Sequence, residues 1–128
     1  MDILSELALV SVILFKIMCV ESSGKPVKLH PDGSSYGYFG LTETACKEVG
    51  ADFPPKTPME EMETAEKYLR LMRERHNCDW LDALGWYHGG DKERRDAYVE
   101  KAMKVKPEDY PEAVEMWHKI TEDINEEI

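Results

Sequence analysis

The stretch from Leu7 to Val20 constrains this chain more than any other. Its fourteen residues carry a single charge, Lys16, and a single hydroxyl, Ser11. It reads as the middle of a helix over residues 2–22, with Asp2 or Ser5 as N-cap and acidic residues in the first turn. Ile3, Leu4, Leu7, Ala8, Val10, Ile13, Leu14, Ile17 and Met18 cover more than one face. A helix that apolar is expected to be central and enclosed by other elements. The run is short for a bilayer span and is interrupted by Lys16. Asp2 and Glu6 stand where a secretory leader carries basic residues, and no small-x-small cleavage site follows. The expectation is therefore a buried helix without stable membrane insertion, and a leader peptide is the competing reading. Glu21 leaves the apolar run, and Gly24 and Pro26 end the helix.

The rest of the chain punctuates itself. Residues 23–40 are irregular, and Asp32-Gly33 is a tight-turn signal that allows short strands or a hairpin. Thr42 to Val49 reads as a short helix closed by Gly50, followed by the rigid connector "DFPPKTP". Pro58 to His76 is an amphipathic helix, with Met59, Met62, Ala65, Leu69 and Met72 three or four apart. A helix over about Asp79 to Tyr87 is stopped by Gly89-Gly90, and Asp91 caps another that runs to Val105. An acidic amphipathic helix from Pro111 to Ile128, carrying Val114, Trp117, Ile120 and Ile124, closes the chain. With 128 residues, no internal repeat and no long linker, a single mainly α domain over residues 1–128 is expected, residues 106–128 adding an extra C-terminal helix.

Charge excludes some partners. The formal net charge is −10, which disfavours a nucleic-acid backbone or an anionic membrane surface. Cys19, Cys46 and Cys78 are odd in number and lie in no C-x-x-C pattern, so free thiols are expected and structural zinc is not. His76 and Cys78 lack further ligands nearby. No metal or cofactor is expected.

Glu21 is the residue with the clearest chemical promise. The carbonyl ends of the last helical turn, together with apolar surroundings, disfavour its ionised form and should raise its pKa. A carboxyl kept protonated near neutrality is the kind of general acid that glycosidases use. The bland reading is a helix-end glutamate facing water; the glycine-rich, aromatic loop that follows favours the first.

Four segments in order resemble the soluble lytic transglycosylases of the goose-type-lysozyme-like superfamily, over roughly residues 5–104. Glu21-Ser22 is similar to that family's Glu-Ser pair at a helix end. Tyr36 to Thr42 is similar to its Gly-Leu-Met-Gln-like segment, "AEKYL" (Ala65 to Leu69) to its small-x-x-Tyr-Leu helix, and "GWYHGG" (Gly85 to Gly90) to its Ala-Tyr-Asn-x-Gly motif. The resemblance implies a lysozyme-like helical domain with a central buried helix, acting on peptidoglycan glycan strands at the bacterial cell wall, whether periplasmic, extracellular or phage-delivered. It implies cleavage of the β-1,4 bond between N-acetylmuramic acid and N-acetylglucosamine, leaving 1,6-anhydro ends, by a monomer.

In that reading Glu21 is the acid and then the base, Ser22 holds the loop or contacts substrate, and Tyr87 orients Glu21 or the sugar. Tyr36, Tyr38 and Phe39 offer faces for stacking, each with core packing as its rival. Three positions depart from the family: Gly40 replaces a glutamine, His88 an asparagine and Phe39 a methionine. These bear on substrate specificity. Gly40 and His88 also keep open a non-cutting glycan-binding or scaffold domain; a hydrolytic muramidase with water as acceptor is the other alternative. Glu43 could serve as a base for water, although the first turn of the next helix explains it as well, and Asp91 is explained as a cap. Arg70, Arg73, Arg75, Arg94 and Arg95 read as solvated helix faces. Lys25, Lys28 and His30 are placed beside Glu21, where they would receive carboxylates of wall peptides.

Overall fold

In the computed structural model the described residues are 2–28 and 33–127, with side chains described as far as Glu122. Among them the chain forms α1 (Ile3–Ser22), β1 (Ser35–Tyr36), β2 (Leu41–Thr42), α2 (Glu43–Glu48), α3 (Pro58–His76), α4 (Trp80–His88), α5 (Lys92–Met103), a 3-10 turn (Pro107–Asp109) and α6 (Pro111–Glu127). The protein is mainly α, as the sequence suggests.

Side-chain caps fix most of these starts. The carboxylate of Asp2 accepts from the Ser5 N–H at 2.7 Å, Asp79 caps α4 and Asp91 caps α5 in the same way, and the hydroxyls of Thr42 and Thr57 cap α2 and α3. Each satisfies an N–H that the helix itself leaves open. α1 ends through Ser23, whose left-handed backbone (φ 58°) turns its N–H onto the carbonyls of Met18 and Cys19. Gly24 follows that cap rather than forming it.

The core gathers around the second half of α1. Ile13, Leu14, Ile17 and Met18 are buried together with Phe39, Leu41, Leu69, Leu84, Ala102 and Ile120. α3, α5 and α6 all pack on α1. The expected enclosure of α1 is continuous only from Ile13 onward: Ile3 is 78% exposed and Leu4 79%, and Leu7 and Val12 are also exposed. The packed helices cover its C-terminal half, and near its start the link to them is an Arg70–Glu6 ion pair at 3.6 Å. As a whole α1 is long and apolar enough to cross a membrane by length and composition, although Leu7–Val20 alone is not. Its Val10, Ile13, Leu14, Ile17 and Met18 are committed to the core.

α6 is part of that core as well, with Ala113 and Ile120 buried in it; Ile124 lies outside the described side chains. The two strands pair antiparallel, with Ser35 opposite Thr42 and Tyr36 opposite Leu41. The turn that joins them is residues 37–40. Asp32, half of the expected Asp32-Gly33 turn, lies outside the described residues. All three cysteines are free thiols.

Candidate functional site

The hairpin turn is pinned to the helices at successive backbone groups. Ser22 follows Glu21 at the end of α1 and is buried, so its hydroxyl needs partners inside the protein. Its Oγ lies 2.9 Å from the Tyr38 carbonyl and 3.1 Å from that of Met18, and it accepts from the Gly24 N–H at 3.2 Å. Tyr87, from α4, donates its hydroxyl to the Phe39 carbonyl at 2.8 Å. Glu61, from the first turn of α3, accepts the Tyr38 N–H at 2.8 Å. A Cβ at Gly37 would overlap that carboxylate. Three helices thus hold three consecutive turn residues through hydrogen bonds or close contact.

This clamp brings Gly40 against Glu21. A Cβ at Gly40 would lie 2.6 Å from the Glu21 carboxyl carbon and 2.7 Å from each of its oxygens, and Gly40 has φ +61°. Both the left-handed backbone and the close approach require glycine. The Glu21 side chain is therefore set beside the turn at the rim of the protein and is half-buried.

Two grooves meet here. The larger, about 430 Å³, is lined by Glu21, His88, Arg94, Tyr98 and Lys101 among others. The smaller, about 100 Å³, runs past Gly40, Tyr68 and Tyr87 to His88 and Gly89. His88 borders both, and the contact between Glu21 and Gly40 joins them. Glu21 is the only carboxylate lining either groove among the described residues. A separate apolar groove of about 300 Å³, walled by Val12, Phe15, Val114 and Trp117, has no carboxylate.

The groups of the Glu21 groove and of the turn clamp are biased toward donating or neutral forms. Burial holds the hydroxyls of Tyr87 and Tyr98 protonated well beyond the usual phenol range, and Glu21 in its ionised form adds to both. His88 stacks on Tyr98, ring centroids 4.5 Å apart, and its pKa is lowered by burial and by Arg94. Glu61, only 5% exposed, is pushed up to about 7 by burial, against the opposing effect of the Tyr38 N–H bond.

Several expected residues lie elsewhere or act differently. Phe39 does not offer its ring to a ligand: it is fully buried, and its carbonyl is what serves the site. Ser22 acts on the loop and presents no open face. Tyr36 packs edge-on against Phe53 at 6.1 Å and lines neither groove. Tyr38 is half-buried and packs against the core. Tyr87 positions the turn and also lines the smaller groove.

Glu43 sits exposed in the first turn of α2, where the helix dipole explains it. Lys25 and Lys28 are exposed and do not line the Glu21 groove, and His30 lies outside the described residues. His76 stacks on Trp86 at 3.7 Å, and no cluster of three metal-ligating side chains occurs among the described residues.

Arg94, Tyr98 and Lys101 are the groove residues that sequence reasoning missed. Their spacing, with Ala97, places them on one face of a helix. Nothing in the sequence says that this face of α5 lies beside the end of α1. Comparison with protein-family models, with curated proteins and with solved structures gives no match.

Proposed function

We propose that the protein is a peptidoglycan lytic transglycosylase of lysozyme-like fold in which Glu21 is the single general acid and base. The observation that carries this reading is Glu21 itself. It is a carboxyl at a helix end, seated against Gly40, in a groove that no other described carboxylate lines. Most glycosidases that use water or a covalent intermediate carry a second carboxylate, about 6.5–9.5 Å or about 5–5.5 Å from the first. A groove lined by one carboxylate among the described residues favours an acceptor from the sugar itself.

In the first step Glu21 gives its proton to the bridging oxygen as the bond to the anomeric carbon breaks, so the leaving sugar departs as an alcohol. In the second, the 6-hydroxyl of the same muramyl residue attacks that carbon, and the Glu21 carboxylate takes the hydroxyl proton. The acid is regenerated and no water is consumed. Proton transfer of this kind contributes on the order of 10² to 10⁴ in rate. Tyr87 and Ser22 keep the turn, and hence Gly40, fixed against the acid, while His88 borders the sugar path as a neutral donor or acceptor.

The test is mass spectrometry of the fragments released from purified murein. Anhydromuramyl ends, lighter by one water than reducing ends, support the reading. Reducing ends would assign the protein to the hydrolytic muramidases. Binding without release of fragments would leave a glycan-binding domain.

A further inference from the structure

We propose that Arg94 and Lys101 form a subsite for a carboxylate carried by the sugar substrate, next to Glu21. The proposal rests on the glycan reading for the sugar, while recognition of the anion stands on the residues themselves. Arg94, Tyr98 and Lys101 occupy one face of α5 and line the same groove as Glu21. Elsewhere around this helix cations are neutralised: Lys92 pairs with Asp96 at 2.7 Å and Lys104 with Glu100 at 2.9 Å. Arg95 lies over the Trp86 ring and donates to the Gly90 carbonyl. Arg94 and Lys101 take part in none of the ion pairs among the described residues.

In a chain of net charge −10, two cations that form no ion pair among the described residues, and that outnumber the Glu21 carboxylate in their groove, make a local positive site that steers and holds an anion. The Arg94 stem lies along Gly90, its Cδ 3.2 Å from where a Cβ would be there, so the guanidinium starts from a supported position. Tyr98, between the two cations in sequence, also lines this groove, while its hydroxyl is closed off from solvent and has no hydrogen-bond partner.

The ligand chemistry is a carboxylate on an N-acetylhexosamine. Two sources fit: the lactyl carboxylate of an unsubstituted muramyl residue, or a carboxylate of the peptide attached to it.

Amide chemical shifts of the full chain, titrated with three probes, test this. N-acetylmuramic acid carries the lactyl carboxylate. N-acetylmuramyl-alanyl-glutamate has that group amidated and carries peptide carboxylates instead. N-acetylglucosamine has neither. The expected result is that at least one acid shifts residues 94–101 and N-acetylglucosamine does not, and the acid that acts identifies the source. Arg94→Gln combined with Lys101→Gln, both exposed positions, should weaken that binding about ten- to a hundredfold, as loss of charge-assisted hydrogen bonds does.

Absence of any shift from both acids, equal binding of N-acetylglucosamine, or unchanged affinity in the double variant would overturn the subsite. The two readings fail separately. Anhydro products together with acid binding that the double variant leaves unchanged would sink the subsite alone. Acid binding at 94–101 without cleavage of murein would sink the enzymatic reading alone.

Discussion

Replacing Glu61 with glutamine should remove a loss of stability that the wild type undergoes as pH rises from about 4 to about 8. Glu61 is buried beneath the hairpin turn, with Tyr38 N–H on one oxygen and Gly37 packed against it. Burial raises its pKa from 4.5 to about 7. Below 4.5 the folded and unfolded chains both hold the proton, and the group contributes no pH dependence. Between 4.5 and about 7 the unfolded chain releases it while the folded one keeps it, so stability falls as pH rises. Above 7 both forms are ionised and the loss is complete.

The span, 7 minus 4.5, at about 1.4 kcal/mol per unit gives a loss on the order of 3 kcal/mol. Glutamine keeps an acceptor for the Tyr38 N–H and cannot ionise. Urea unfolding at half-unit pH steps measures this directly. Relative to Glu61→Gln, the wild type should lose about 3 kcal/mol between pH 4 and 8. Parallel curves for the two proteins across that range would refute the reasoning, and so would a wild type that gains stability on Glu61 as pH rises.

Gly40→Ala should abolish murein cleavage and lower stability by about 1–3 kcal/mol, read from initial rates and urea midpoints, because it meets both a left-handed backbone and the Glu21 carboxyl. Tyr87→Phe leaves the buried Phe39 carbonyl without its donor, which should cost about 1–3 kcal/mol and slow turnover without changing the product. Ser22→Ala should act in the same direction through Tyr38 and Gly24. Among the thiols, the partly exposed Cys78 should react first with a thiol reagent at pH 8. Cys19, pushed up to about 11 by burial, should react only as the chain unfolds.

Local signals carried the fold well. The capping residues Asp2, Thr42, Thr57, Asp79 and Asp91 stand where helices begin, and α3 spans the residues that its apolar spacing marks out. The exposed start of α1 was not legible, because apolarity alone does not say how far the neighbouring helices reach. In the site, Glu21, Gly40, Tyr87 and His88 were readable from order and residue type. Phe39 stayed open between stacking and core packing, because an aromatic in a glycine-rich loop has the same letters whether it faces the core or a ligand.

Glu61 drew no notice, since a glutamate in the first turn of a helix usually faces water; only the approach of the hairpin turn buries it. Arg94 looked like part of a solvated face for a similar reason, and Lys101 carried no signal of its own. A helix period shows which residues share a face and not what that face meets.

The central claim is that the Glu21 carboxyl moves the proton in murein cleavage. The most direct measurement is the rate at which wild type and Glu21→Gln release fragments from purified murein, with near-UV circular dichroism to verify that both are folded. The account predicts a folded variant slower by at least about 10², and anhydromuramyl ends from the wild type alone. A folded Glu21→Gln protein that cuts as fast as the wild type would contradict it.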